Sequence, residues 1–371
     1  MTTLTLSGKR LSGETTSARR QPGRMEHCPV CVIVPARNEG ETIYATLAAL
    51  RAQTGIDHSR VEIIVLANNC DDDTGDQVRL FASSNPGLNL QIYEKQFPEE
   101  SANIGNARRW LMDLAAQRLP ANGIIASTDG DTVADPLWLA ATLREFERGV
   151  EFVGGRIVTS VSQAPHSPVR RVYLQDTAYR LLVAEVEALL DPDPCDPWPR
   201  HFQHYGASLA ITCSAYLGIG GLPDVPVLED MALYDELRRH DVAIRHSPWV
   251  RVTTSARMSG RAGMGLSTQL SEWQTMIDAG REPLVESAAY VIARIRERNR
   301  LRTVWKEGPS RNNAVSCGRH IETGLDAFSP SVDHLDTLSG ALRQLRMALI
   351  DLRRAPAIYI RSSRSSRYVS A

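Results

Sequence analysis

Two carboxylates one residue apart, in Ser127-Thr128-Asp129-Gly130-Asp131, follow the apolar run Gly123-Ile124-Ile125-Ala126. Such a run reads as a buried strand that stops abruptly and sets both acids at its C-terminal edge. In an open α/β sheet, that edge is where ligands bind. A pair of this kind suits a hard divalent cation that also holds substrate phosphates. Asp-Gly is equally a turn signal, so the spacing alone leaves a plain turn open.

The elements that would position this pair alternate in type. Val30 to Val34 is a β-branched strand ending at Pro35, and Ala36-Arg37-Asn38-Glu39-Gly40 follows as a loop. Glu41 to Gln53 carries Ile43, Leu47 and Leu50 at helical spacing. Val61 to Leu66 is a second strand, ending in Asn68-Asn69-Cys70-Asp71-Asp72-Asp73, and Gln77 to Ser83 a helix. Leu88 to Tyr93 reads as a third strand, Ala107 to Gln117 as a helix, and Ile124 to Ala126 as a fourth strand. This alternation predicts an α/β fold with a doubly wound, mostly parallel sheet. Such a sheet gathers Arg37, Glu39, Asn68, Asp72, Asp129 and Asp131 along one crevice.

Further on, Pro136 to Glu147 reads as a helix, Glu151 to Ser160 as strand and Tyr173 to Leu190 as a long helix. Residues 191–199 hold four prolines, which predicts an irregular loop over or beside the site. From about residue 275 the pattern is mostly helical, with Leu284, Val291, Ile292 and Ile295 on one stripe. Residues 341–354 form a basic amphipathic helix, suited to docking on the catalytic unit or to peripheral contact with anionic lipid.

Composition narrows the class. The chain has 371 residues, 43% hydrophobic and 23% charged, ordinary for a globular enzyme. With 42 Lys+Arg against 43 Asp+Glu, the net charge of −1 gives no field for nucleic acid. No apolar run approaches the ~18 residues of a membrane span. Six scattered cysteines fit a reducing cytoplasm better than a disulfide scaffold. Cys28-Pro-Val-Cys31 runs straight into a strand without a second pair, which favours packing over redox or zinc roles. Residues 1–27 are polar and basic without an apolar h-region, predicting a disordered leader rather than a signal peptide. The Ser/Arg tail over 356–371 is also predicted to be disordered.

In order along the chain come Val34-Pro35-Ala36-Arg37-Asn38-Glu39, Asn68 to Thr74, Gly105-Asn106-Ala107-Arg108-Arg109, Asp129-Gly130-Asp131 and Val227-Leu228-Glu229-Asp230. Together they resemble a family 2 glycosyltransferase of GT-A fold, over roughly residues 29–275. The resemblance implies a GT-A catalytic domain over 28–274, with a nucleotide-sugar half (28–135) and an acceptor half (136–274). A helical extension over 275–355 would follow it. It implies transfer of a sugar from a nucleotide-sugar donor to an acceptor hydroxyl, with inversion if one direct displacement is used. The departing diphosphate needs its charge neutralised. Asp131, assisted by Asp129, would hold a Mg2+ or Mn2+ ion for that purpose, with Asp129 leaning toward the ribose. Asp230 matches the base, with Glu229 beside it on the acceptor side. Acids also favour the first turn of a helix, and Met231 to Arg239 reads as one.

Other matches are looser. Pro35, Arg37 and Glu39 resemble the donor loop, and Asp72 its more constant acid. Asn68 stands where many members carry an aspartate facing the base, which leaves the nucleobase open. Arg108 resembles a diphosphate contact, although a solvated helix-face arginine fits the spacing too. Gly206-Ala207-Ser208 and Gly220-Gly221 resemble an acceptor-side wall, or simple close packing. Gln269-Leu270-Ser271-Glu272-Trp273 echoes the Gln-x-x-Arg-Trp motif of processive synthases, with Glu272 in place of the arginine. Trp273 would stack on an acceptor ring, or sit in a core. Ser259 to Gly265, with Arg257 and Arg261, suits a flap over phosphates or a plain loop. His246 is a possible third metal ligand, while His201 and His204 stay unassigned. Two competing readings are a sugar-phosphate nucleotidyltransferase and a non-catalytic binding partner of the same fold. The first βα loop lacks the Gly-rich, Lys/Arg-bearing signature that a triphosphate site needs, and the intact acids argue against the second.

Overall fold

The coordinates are a computed structural model that describes residues 29–160, 167–257, 265–307, 316–325 and 331–354. The expected leader and tail, Cys28 and most of the glycine-rich segment at 259–265 lie outside these residues.

The chain opens with β1 (Val30–Ala36), α1 (Ile43–Arg51), β2 (Val61–Asn68), α2 (Thr74–Ser84), β3 (Leu90–Lys95), α3 (Ile104–Arg118) and β4 (Ile124–Ser127). Then come β5 (Thr132–Ala134), α4 (Trp138–Glu147), β6 (Phe152–Thr159), α5 (Pro168–Leu190), β7 (Leu209–Thr212), α6 (Cys213–Gly218), α7 (Glu229–Arg239) and β8 (Ile244–Thr254). The C-terminal part supplies α8 (Leu266–Asp278), β9 (Leu284–Glu286), α9 (Ala288–Glu307), α10 (Cys317–Leu325), β10 (Leu335–Thr337) and α11 (Leu338–Arg354).

The main sheet has the order β3-β2-β1-β4-β7-β6-β8-β5. Strands β3, β2, β1 and β4 are parallel, as the βα alternation predicts. Strand β7 then runs antiparallel to both β4 and β6, and β5 antiparallel to β8, while β6 and β8 are parallel. The α/β reading therefore holds, with antiparallel strands in the second half. Alternation along β1 serves two cores. Val30, Val32 and Val34 face α1, α2 and α4 on one side. Cys31 and Ile33 face α3, α6 and α7 on the other. Covered on both faces, the strand has no use for polar residues until it leaves the sheet, so its chemistry collects at its end.

The amphipathic face of α11 is covered. Ala341, Leu342, Leu345 and Leu349 pack with Tyr179 and Val186 of α5 and with Val291 and Ile295 of α9. Docking, rather than lipid, accounts for that stripe. Leu284 departs from the expected helical stripe: it lies exposed in β9, which pairs with β10 ahead of α9. The proline-rich segment 191–199 is irregular, with two buried acids that anchor ion pairs. Asp191 accepts from Arg298 and Arg302 of α9. Asp196 accepts from Arg200, Arg245 and the amide of His246. Among the described residues, no helix is long and apolar enough to cross a membrane.

Candidate active site

The loops after β1 and β2 are laced together. The amide of Glu39 donates to Thr74 Oγ1 (2.7 Å), that of Gly40 to Asp72 Oδ2 (2.9 Å) and that of Asp71 to Asn38 Oδ1 (2.8 Å). Asp72 Oδ1 also accepts from the Thr74 amide at the start of α2. Asn38 and Asn69 take positive φ, a conformation that asparagine tolerates better than most residues. Asn68 is buried at the end of β2. Pro35, expected in the donor loop, lies inside β1, buried and paired with Leu66. Arg37 donates from Nη1 to the Ala102 carbonyl (3.0 Å), tying this loop to the turn that precedes α3. An open cleft of about 480 Å³ beside these loops is lined by Asn38, Glu41, Asp71, Asp72 and Asp73. Its carboxylates would repel a diphosphate.

At the end of β4 the chain turns through Gly130, where a side chain would press on Glu39 Cγ at 3.0 Å and Ala36 Cβ at 3.2 Å. Glycine suits that position because β1's loop packs closely on the turn. Asp129 and Asp131 leave this turn toward different partners. Asp129 Oδ1 accepts from Arg108 Nη2 (3.0 Å). Asp131 Oδ1 accepts from Thr254 Oγ1 (3.3 Å), and its Oδ2 lies 3.2 Å from Arg257 Nη2. Burial, reinforced by the neighbouring Asp129 charge, pushes the Asp131 carboxyl up to about 6, with Arg257 opposing the shift.

Arg108 is the centre of the site. Its Nε donates to Glu229 Oε1 (3.0 Å), its Nη1 to Ser127 Oγ (2.5 Å) and the Gly206 carbonyl (3.1 Å), and its Nη2 to Asp129. It is 2% exposed. Burial works against its charge, but the carboxylates of Asp129, Glu229 and Asp230 more than compensate and raise its pKa. The expected diphosphate contact is thus corrected. The guanidinium is spent on two carboxylates and positions them. Gly206 passes within reach because it lacks a side chain, for a Cβ there would meet Arg108 Nη2 at 2.3 Å. That contact, rather than an acceptor wall, accounts for the glycine.

The other end of Gly206 holds the second acid. Its amide donates to Asp230 Oδ2 (2.8 Å), while Asp230 Oδ1 accepts from the Met231 amide (2.8 Å). Burial, then the adjacent Glu229 charge, raises the Asp230 pKa above the usual carboxylate range, opposed by the Gly206 amide and by Arg108. Leu228, just before α7, has φ of 55°. A leucine pays for that left-handed turn in steric strain, and the turn sets Glu229 inward at the helix start. Asp129 and Asp230 are therefore joined through Arg108 and Gly206, and Asp131 stands two residues from Asp129.

Three expectations are corrected. His246 is no third ligand of Asp131, because its Nδ1 pairs with Asp196 Oδ2 at 2.7 Å. It sits beside Gly154 in the sheet, whereas Thr254, which touches Asp131, sits beside Thr159. Five residues of strand put about 17 Å between the two positions. His201 and His204 share its buried ring cluster, and burial, then the nearby His246, lowers both pKa values well below normal. Trp273 is buried against Val169 and Leu270, so its ring fills a core rather than facing an acceptor. Glu39, expected in the donor loop, instead spends its carboxylate on Arg257, in a bidentate pair at 3.0 and 2.6 Å. Arg257 itself was legible only as an arginine near a glycine-rich stretch. Its partners lie 218 and 126 residues away, beyond any local signal.

The sequence profile described as "Glycosyl transferase family 2" matches residues 31–191. The curated "Glycosyltransferase AglE" of Haloferax volcanii is 29% identical over 130 residues, which cover 34% of this chain and 39% of that protein. Among solved structures, the mannosyltransferase PcManGT from Pyrobaculum calidifontis, in complex with GDP-Man and Mn2+, is similar with a TM-score of 0.47. The identity is 16%, over 89% of this chain and 77% of that one. S. aureus TarS 1-349 in complex with UDP gives 0.46 and 14%, over 92% and 94%.

Proposed function

We propose that this protein transfers a sugar from a nucleoside diphosphate donor to an acceptor hydroxyl, in one displacement that inverts the anomeric carbon. The observation that carries the reading is the Asp129–Arg108–Gly206–Asp230 connection, which binds a donor-side and an acceptor-side acid into one unit. Asp230 takes the proton from the acceptor hydroxyl at a carboxylate oxygen. The Gly206 and Met231 amides fix that carboxylate, and its raised pKa makes it a stronger base than an exposed aspartate. Arg108 orients rather than reacts. The proposed donor-side residues are Arg37 and Asp129, with Asn68 and Asp72 on the nucleoside side rather than against the diphosphate.

Asp131, with Asp129, fits a Mg2+ or Mn2+ ion in donor chemistry, since both offer hard carboxylate oxygens. Among the described residues, no group of three or more His, Cys, Asp or Glu is arranged to hold a metal. An ion that shares its coordination with a diphosphate needs only one or two protein carboxylates. Bound there, such an ion would neutralise charge on the leaving diphosphate. The test is a thermal-shift panel of UDP-, GDP- and dTDP-sugars with and without Mn2+, followed by turnover of the donor that responds. Asp230→Asn should bind that donor as the natural protein does while losing about 10²–10⁴ in turnover. Full turnover in this variant would refute the base assignment. NMR of the product's anomeric proton tests the inversion.

A further inference from the structure

Arg257, three residues past the end of β8 and half-buried, is shared by two acids, one from the loop after β1 and one from the turn after β4. Glu39, itself buried, grips both of its terminal nitrogens at 3.0 and 2.6 Å, and Nη2 also reaches Asp131 Oδ2 at 3.2 Å. The carboxylate best placed to receive a divalent cation therefore already carries a cation of this chain's own. The two contacts are unequal. The grip of Glu39 is short and bidentate, while that on Asp131 is single and longer, so the guanidinium can leave Asp131 and stay anchored. A planar guanidinium is also well suited to diphosphate oxygens.

Resting on the donor site proposed above, we propose that Arg257 is a resident counter-ion that competes with divalent metal for Asp131. It releases that carboxylate only when a nucleoside diphosphate arrives to receive the guanidinium. Metal and donor then load as a pair. Like charges keep the metal off Asp131 in the absence of phosphate, and the incoming diphosphate is bound by both cations at once.

The full-length protein is titrated with Mn2+ followed by EPR, first alone and then with UDP, GDP or dTDP. The natural protein should bind Mn2+ weakly alone and more tightly with the responsive nucleotide. Arg257→Met should bind Mn2+ alone about tenfold more tightly, yet bind the nucleotide in Mn2+ about tenfold more weakly, having lost one charge-assisted contact. Arg257→Lys, which keeps the charge, should stay near the natural Mn2+ affinity. Adding Asp131→Asn to Arg257→Met should abolish the gain, which places it at that carboxylate. Unchanged Mn2+ affinity in Arg257→Met, with nucleotide binding intact, would overturn the competition and leave the donor site standing. Failure of the natural protein to bind any of the three nucleotides would instead refute the donor site, and with it the transfer of Arg257 to phosphate.

Discussion

Arg108→Met removes the charge at the centre of the site while nearly conserving volume. Arg108 is 2% exposed and Glu229 3%, so the variant strands a carboxylate with no access to water. Breaking a buried pair from one side costs about 3–5 kcal/mol. Asp129 is a third exposed, and its lost pair adds less than about 1 kcal/mol. The Gly206 carbonyl keeps a donor, because Ser127 Oγ also bonds it at 3.0 Å. The total stays near 3–5 kcal/mol, or about 6–20 °C in thermal midpoint for a domain of this kind. Replacing both partners, Arg108→Met with Glu229→Met, should recover most of that loss, since an apolar pair of similar volume needs no counter-charge. Calorimetry on the single and double variants, free of nucleotide, gives the coupling directly. A single variant that loses less than about 1 kcal/mol would refute the buried bridge. So would a double variant as unstable as the sum of the singles. The alternative role, a diphosphate contact, predicts the reverse order of effects: weakened nucleotide binding on an unharmed fold.

Three further outcomes follow from the same geometry. Asp131 is raised from its ordinary 3.8 to about 6, so folding disfavours its ionised form above pH 6, and that cost is relieved as pH falls from 6 toward 3.8. Asp131→Asn in EDTA should accordingly stabilise the protein at pH 8 by up to about 3 kcal/mol, a gain nearly gone by pH 4. Equal stability of the two proteins at pH 8 would contradict it. Asp230 is also raised, so kcat/KM should fall with decreasing pH at an acid limb above the usual carboxylate range; a limb near pH 4 would count against Asp230 as the base. Leu228→Gly relieves a left-handed leucine that is already exposed, so urea unfolding should show no loss or a gain of up to about 1 kcal/mol. A loss above 1 kcal/mol would mean the strain is absent.

What could be read from the sequence was what short-range pattern encodes. The ends of β1, β2 and β4 were visible because an apolar run that stops at polar residues is a local event, and in a parallel half-sheet those ends share one edge. The insertion of β7 between β4 and β6 was not visible. Four residues, Leu209 to Thr212, carry no periodicity strong enough to reveal orientation. Charged residues were misread for a related reason. Arg108 lies on a helix whose pattern cannot tell a solvated arginine from one neutralised by Glu229, 121 residues away. His246 looked like a free ligand because its partner Asp196 sits in a proline-rich segment with no regular structure. Trp273 matched a motif spacing while its helix turned that face to α5.

The same dependence on distant partners bears on function. Wherever the site departs from what is cheapest for folding, a long-range contact holds the departure in place. Asp131 is ionised at a cost and is restrained by Arg257 from the end of β8. Asp230 is buried and raised, yet two backbone amides fix its carboxylate. Leu228 is strained, and the helix it starts is anchored through Glu229 to Arg108. A chain selected only for stability would replace each of these residues with a neutral or glycine counterpart. Their concentration around the turn at Gly130 and the start of α7 is what a preorganised catalytic site requires, because groups poised for charge transfer must be held by the fold before the substrate arrives.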